Sequence, residues 1–340
     1  MSVSASPNAG ASPHGGRRQS RVIYSACVAA APPVVLCLLL WVAGTPWFMD
    51  HNAYPELHDI GYGLALRHED CDVVLYGDSS AMTAYDPDVV GRMTGLKACN
   101  VAEGGTITSM VGNYTLDAYL SRNKRPKYLV MMFTPSIFRP DPQWMTDTKP
   151  EGYTYLLQFV RGKRLYHTLL RRPLAALRYA SWVGGRIIAD VLGRLQHTNP
   201  DDPAKDLGAE RRRRRGIAAY PQPTETECVR TAFHYPAAAM RGDPDGVAAV
   251  RRKYGVQGTQ VIVNVAPVPA CDELQATYET VLAGEHDNAF EKLPISWFNS
   301  QDVHFNATGA NYLSAEVAQQ ILDRERARTT QPNETGGTSR

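Results

Sequence analysis

The sequence predicts an α/β fold in which helices cover a parallel sheet, preceded by one apolar N-terminal segment. Short apolar runs alternate with stretches of helical periodicity, and the alternation resumes after a long basic region. Of the 340 residues, 44% are hydrophobic and 21% are charged, which is the balance of an ordinary globular protein. The formal net charge of +2 gives no indication of a nucleic-acid partner.

The N-terminal segment is typical of a membrane anchor. Residues 22–49 contain no charged side chain, and about 20 apolar residues are enough to cross a bilayer as a helix. Residues 1–21 are rich in Ser, Gly, Ala and Pro. Because such a composition buries little apolar surface, we expect a disordered tail there.

Charged residues on either side of the segment predict its orientation. Three arginines precede it and two acidic residues follow it, namely Arg17, Arg18, Arg21, Asp50 and Glu56. The positive-inside rule then leaves the tail in the cytoplasm. We therefore expect a single-pass protein of the inner (plasma) membrane, with its C-terminal domain in the periplasm. A cleaved signal peptide is the alternative, for which Val42-Ala43-Gly44 is a poor cleavage site.

Four of the six cysteines lie beyond the anchor, where an oxidising compartment permits disulfides. Cys71 and Cys99 each stand just before a predicted strand, so parallel neighbouring strands would bring them together. The preferred pairing is Cys71–Cys99 with Cys228–Cys271, one of the three that four cysteines allow. Four unpaired thiols are the alternative.

The first half of the chain alternates strands and helices. The predicted strands are Cys71–Tyr76, Cys99–Ala102 and Tyr128–Phe133. One helix begins at Asp86-Pro87, where an acidic cap precedes a proline. Apolar residues at helical spacing predict another helix over 107–118, and Pro126 stops it. This order is typical of a parallel sheet.

Residues 151–215 differ in character and are predicted to form an inserted helical region. Arginines alternate there with leucines and isoleucines, a pattern typical of amphipathic helices. Such helices either lie on an anionic membrane surface or form a solvated lid. The run Arg211–Arg215 is interpreted as a flexible charged linker, with phosphate or acidic polysaccharide binding as the alternative.

The alternation resumes at Asp243 and continues to the C-terminus. The predicted elements are a helix up to Tyr254, a strand over Val261–Ala266, a helix over 274–281 and a last helix from about Asn306 through Ile321. Residues 329–340 are polar and predicted to be a disordered tail. The folded domain is therefore expected over residues 50–328.

A serine follows the first strand where an open α/β sheet binds its ligands. Gly77, Asp78 and Ser79 come directly after that strand, and ligands bind at the carboxyl ends of parallel strands. Gly77 permits the sharp turn that presents the serine. We therefore predict that Ser79 is a nucleophile and that its backbone N–H is an oxyanion donor.

A histidine stands near the other end of the chain, just before the last helix. A serine hydroxyl becomes a good nucleophile only when a base takes its proton, and His304 supplies a base at neutral pH. Asp302 is close enough in sequence to orient the imidazole. The histidines show no metal-ligand spacing, so we predict neither a metal nor a cofactor.

These motifs together resemble the SGNH (GDSL-type) hydrolases over about residues 70–135 and 255–325. Gly77-Asp78-Ser79 resembles their first block, residues 100–105 resemble the second, and Asp302-x-His304 with Gly309 resembles the last. The resemblance implies a three-layer α/β/α sandwich. It also implies an oxyanion donor at Gly104 or Gly105, with Gly105 preferred.

Two departures from the family pattern direct the functional prediction. The third block usually has an Asn as an oxyanion donor, whereas this chain has Phe133-Thr134-Pro135-Ser136, so Thr134 or Ser136 are weak substitutes. The acid is spaced Asp-x-His rather than Asp-x-x-His. The spacing is similar to that of the SGNH-like domains of alginate O-acetyltransferases. The missing Asn and the anchor are similar to features of the D-alanyl-transfer protein of teichoic acid assembly.

The resemblance implies a serine-dependent O-acyltransferase or carboxylic ester hydrolase. Its substrate would be O-acyl groups of cell-envelope or secreted polysaccharide, and its partner a membrane-bound O-acyltransferase. One alternative is a catalytically inactive accessory or polysaccharide-binding protein of an envelope assembly complex. A second is a lipase or thioesterase that uses the helices of 151–195 as a lid.

Overall fold

A computed structural model describes the helices and strands on which the predicted site depends. It describes residues 14–43, 45, 61–104, 113–134, 174, 181, 185, 211–218, 244–271, 286–288, 292–299 and 304–330. The helices are α1 (His14–Ala43), α2 (Ser79–Ala84), α3 (Pro87–Thr94), α4 (Tyr114–Leu120), α5 (Pro244–Tyr254) and α6 (Ala307–Thr330). The strands are β1 (Val73–Gly77), β2 (Ala98–Asn100), β3 (Tyr128–Phe133), β4 (Gln260–Val265), β5 (Val268–Pro269) and β6 (Lys292–Leu293).

Helix α1 is long and apolar enough to cross a membrane. Its most apolar part, Ser20–Leu39, has a mean hydropathy of 2.2. The helix begins at His14, so it includes residues 14–21, which the composition assigned to a disordered tail. Once a helix has formed, each further residue adds one backbone hydrogen bond, so the apolar helix extends backward into these polar residues.

Four parallel strands form the main sheet, in the order β2-β1-β3-β4. All four predicted strands are confirmed, with bounds that differ by no more than two residues. Along β1, Val73 and Leu75 face one buried apolar cluster and Val74 and Tyr76 face another. Helices α2, α3 and α6 pack on the first face, and α4 and α5 on the second. The α/β prediction is therefore confirmed.

The predicted cap of α3 is present. The Asp86 carboxylate accepts a hydrogen bond from the Asp88 N–H at 2.9 Å, and Pro87 occupies the first turn. Gly95 ends the helix in the left-handed conformation, with φ of 71°.

The arginine run covers the outer edge of β2, so its interpretation as a flexible linker is wrong. The Arg215 carbonyl accepts a hydrogen bond from the Asn100 N–H at 3.0 Å. Arg211 is buried and donates to the carbonyls of Ala102 and Gly216. A charged run orders here because an unpaired strand edge offers backbone partners and the buried guanidinium finds acceptors.

The outer edge of β4 is covered by two side chains. Asp287 accepts from the Val263 N–H at 2.7 Å, and Asn288 accepts from the Val265 N–H at 3.0 Å. The Asn288 amide also donates to the Val265 carbonyl at 2.9 Å. Among the described residues, both outer strands of the sheet thus have some of their edge backbone groups bonded without a further strand.

The Cys71–Cys99 disulfide is present, with Cα atoms 6.1 Å apart. It joins the starts of β1 and β2. Cys71 lies two residues before β1 begins, and Cys99 lies in β2 beside Val74 of β1. Cys271 is also disulfide-bonded, whereas its predicted partner Cys228 lies outside the described residues.

Several elements differ from the predictions or lie beyond the description. The short helix α2, the pair β5 and β6, and a 3₁₀ turn at Ile295–Trp297 carry too few residues to show a period in the sequence. Helix α6 extends to Thr330, into the tail predicted to be disordered. The predicted helix over 274–281, most of the insert and residues 331–340 lie outside the described residues.

Candidate functional site at the carboxyl end of strand β1

Ser79 lies where the strand order reverses. Strand β1 is flanked by β2 on one side and β3 on the other, so chain connections leave it in opposite directions. Such a switch point leaves a crevice above the carboxyl ends of the strands. Ser79 is the first residue of α2 and is half-buried. Among the described residues, its hydroxyl forms no hydrogen bond.

Gly77 permits the turn that presents Ser79. Its φ of 154° is unfavourable for residues with a side chain, and a Cβ atom there would overlap the carbonyl oxygen of Met132 on β3. The predicted reason for this glycine is therefore confirmed.

Asp78 is fully buried and caps α2. One carboxylate oxygen accepts from the N–H of Ser80 at 2.9 Å and from its hydroxyl. The other accepts from the Thr134 N–H at 2.7 Å, directly after β3. Burial raises the pKa of this carboxyl, and the hydrogen bonds from Ser80 and Thr134 oppose that shift. Asp78 thus fixes the serine turn to the end of β3.

A single hydroxyl joins the serine segment to the histidine segment. Thr83, in α2, donates to the Ser79 carbonyl at 3.1 Å. The same hydroxyl accepts from the Phe305 N–H at 3.1 Å, across 222 positions of sequence. Because Phe305 directly follows His304, this contact holds the two predicted catalytic segments beside each other.

The His304 segment is fixed from both sides. The His304 carbonyl accepts from the Asn299 N–H at 2.9 Å, and Phe298 and Phe305 form an isolated antiparallel bridge. Asn306 caps the start of α6, since its side-chain oxygen accepts a hydrogen bond from the Thr308 N–H at 3.0 Å.

The imidazole of His304 and the hydroxyl of Ser79 are not hydrogen-bonded to each other in this structure. Both ring nitrogens of His304 are buried. Catalytic hydrogen bonds are often long without a substrate and shorten when one binds. Asp302, the predicted orienting acid, lies outside the described residues.

The second loop lies against the end of β1. The Glu103 N–H donates to the Gly77 carbonyl at 3.0 Å, and Gly104 is buried next to it. Gly105, the predicted oxyanion donor, lies outside the described residues, as does Ser136. Thr134 donates its N–H to Asp78, which removes that group as an oxyanion donor.

The Ser79 N–H, the predicted oxyanion donor, belongs to the first turn of α2. The first N–H groups of a helix have no partner within the helix. The Ser80 N–H is taken by Asp78 and the Met82 N–H by the Asp78 carbonyl. Within the described ranges the Ser79 N–H forms no hydrogen bond, and the start of a helix favours negative charge. The turn thus places a hydroxyl and an N–H on one residue.

Three residues of the site were missed from the sequence. Thr83 stands one helical turn after Ser79, and that spacing was its only signal. Asn100 donates to the carbonyls of Ala81 and Tyr85 at 3.0 and 2.9 Å, and so holds α2 against β2. Glu103 is a fully buried acid. The signal for Asn100 was a polar residue inside a short apolar strand, and the signal for Glu103 was an acid directly after the predicted end of that strand.

The described residues contain no group of three or more His, Cys, Asp or Glu side chains that could hold a metal ion. No protein-family model, no curated protein and no solved structure matches the chain.

Proposed function

We propose that the chain is a membrane-anchored, extracytoplasmic acyltransferase or esterase of the SGNH type, with Ser79 as its nucleophile. The observation that carries the proposal is the Thr83 hydroxyl, which hydrogen-bonds both to the Ser79 carbonyl and to the N–H after His304. A serine and a histidine far apart in sequence are thereby held at one edge of a parallel sheet.

The proposed reaction is acyl transfer through the serine. The Ser79 hydroxyl attacks an ester carbonyl while His304 accepts its proton, and His304 then protonates the leaving alcohol. Asp302 orients the imidazole. The negative oxygen of the tetrahedral intermediate is held by the N–H groups of Ser79 and Gly105. Water or a sugar hydroxyl then takes the acyl group from the serine.

Helix α1 supports an extracytoplasmic location for the reaction. A helix long and apolar enough to span a bilayer precedes the site, and the arginines before it favour a cytoplasmic N-terminus. The site would then face the periplasm, where envelope or secreted polysaccharide supplies hydroxyl and O-acyl groups. Transfer to such a glycan, beside a membrane-bound O-acyltransferase that supplies acyl groups, is the preferred form of the activity.

Labelling with a fluorophosphonate probe tests the proposed nucleophile. The detergent-solubilised chain should be labelled on Ser79, and Ser79→Ala should abolish the labelling. His304→Asn should slow it, because the base is lost. Ser121→Ala is the control, since that exposed serine lies outside the site and donates to the Ala118 carbonyl at 2.8 Å.

The accessory role is the alternative outcome. It is favoured by the Thr134 N–H, which bonds to Asp78 where the family pattern has an oxyanion donor. Folded wild-type protein that the probe does not label, but that binds acidic or acetylated polysaccharide, would support the accessory role. Turnover of long acyl chains without acetyl ester turnover would instead support the lipase or thioesterase.

A further inference from the structure

Glu103 is a buried acid that connects its own loop to strand β1 and to helix α4, next to the proposed site. Its side chain is fully buried. The Tyr76 hydroxyl donates to one carboxylate oxygen at 2.6 Å, and the Thr115 hydroxyl donates to the other. Its own N–H donates to the Gly77 carbonyl at 3.0 Å. One residue thus contacts β1 twice and α4 once.

Burying a carboxyl group costs free energy unless hydrogen bonds compensate for the lost water. A buried carboxylate is tolerated only when hydrogen bonds replace water. Two hydroxyl donors supply them here. Burial and the nearby Glu103 carboxyl both raise the pKa of Tyr76 well above its ordinary value. The phenol therefore stays protonated and remains a donor.

The loop that Glu103 begins is also held from its other side. The carbonyl of Ala102 accepts a hydrogen bond from the buried guanidinium of Arg211, which stacks 5.0 Å from the ring of Tyr62. The backbone on both sides of the 102–103 peptide is thus tied to neighbouring elements. The next two residues are Gly104 and Gly105, the proposed oxyanion loop.

We propose that Glu103 is a positioning residue that holds the backbone leading into Gly104 against the end of β1, next to the turn that carries Ser79. Glycines have no side chain that could fix their own peptide planes. Oxyanion donors are effective only when they are held in place before the reaction. Glu103 supplies that restraint through Tyr76 and Gly77, on the strand that directly precedes the turn of the proposed nucleophile. This inference rests on the proposed function.

Steady-state kinetics with p-nitrophenyl acetate, on the detergent-solubilised full chain, separate positioning from a merely structural role. Glu103→Ala and Tyr76→Phe should each lower kcat by about 10- to 100-fold. KM should stay within about twofold, because the ground-state ester does not use the oxyanion donors. Glu103→Gln should recover most of the rate, since an amide can still accept from Tyr76 and donate to Thr115.

Tyr119→Phe is the matched control, because it removes a buried tyrosine hydroxyl at the opposite end of the sheet. The Tyr119 hydroxyl accepts from the Cys71 N–H at 3.2 Å. The control should lower the melting temperature and leave kcat unchanged. Tyr76→Phe keeps the test decisive if Glu103→Ala does not fold.

Three results would overturn the inference. If Tyr76→Phe and every folded Glu103 variant keep the wild-type kcat, then Glu103 does not position the loop. If Tyr119→Phe lowers kcat as much as Tyr76→Phe, the effect is one of general stability. If the wild type neither turns over ester nor reacts with the fluorophosphonate, the proposed function fails, and this inference fails with it.

Discussion

Replacing Thr83 with valine perturbs the contact between the serine and histidine segments with little change in side-chain shape. Thr83 is 1% exposed, and its hydroxyl is the acceptor for the Phe305 N–H at 3.1 Å. Valine leaves that buried N–H without an acceptor, which costs about 1–3 kcal/mol. The bond that Thr83 donates to the Ser79 carbonyl is also lost, but a helix carbonyl has a second partner in the helix.

The same substitution should slow the reaction at Ser79. The His304 backbone would no longer be fixed to α2, and a displacement of about 1 Å in a catalytic group lowers rates by up to about 100-fold. We expect Thr83→Val to reduce the second-order rate constant of fluorophosphonate labelling by about 10- to 100-fold. Urea denaturation measures the loss of stability, and labelling below the unfolding range measures the loss of rate.

Thr83→Ser is the matched control, because it keeps the hydroxyl and removes only a methyl group. It should stay close to wild type in labelling rate. The reasoning is refuted if Thr83→Val labels as fast as wild type, or if serine and valine at this position slow labelling equally. Either result would mean that the hydroxyl does not set the relation of the two segments.

Two further predictions concern stability. Replacing Cys71 and Cys99 together with alanine should lower the free energy of unfolding by about 3.5 kcal/mol, since the disulfide closes a loop with a sequence separation of 28. Labelling of Ser79 should be unchanged, because the disulfide lies at the starts of the strands. Asp78→Asn should be destabilising, and by less as the pH rises. The folded-state pKa of Asp78 is raised, so in the wild type its contribution is present below the ordinary pKa and is lost as the pH rises through the folded value. Urea titrations at several pH values check this, and a pH-independent difference between Asp78→Asn and wild type would contradict it.

The sequence predicted the sheet well because its strands are buried on both faces. Runs such as Tyr128–Phe133 are apolar throughout, and the observed strand has the same bounds. The cap at Asp86 with Pro87 was equally readable, because a single turn of backbone decides it. Strand order was not readable from local pattern, since pairing of β1 with both β2 and β3 depends on contacts across the fold.

Ser79 and His304 were singled out from the sequence by residue type and by position after a strand and before the last helix, and their catalytic roles stay predictions. The residues that support these segments could not be singled out in the same way. Thr83 and Glu103 carry no chemical signal in the sequence, and their roles depend on partners such as Phe305 and Tyr76. The arginine run was misread for a related reason, because charge predicts exposure unless a strand edge supplies acceptors.

The most direct test of the central claim is the distance between Ser79 Oγ and the nearer ring nitrogen of His304. It should be measured in a crystal structure of the chain after reaction with a fluorophosphonate. We expect a separation of about 2.6–3.2 Å, with the phosphonyl oxygen facing the Ser79 N–H. A phosphonylated Ser79 whose oxygen is contacted by another base, with the imidazole of His304 turned away, would contradict the account.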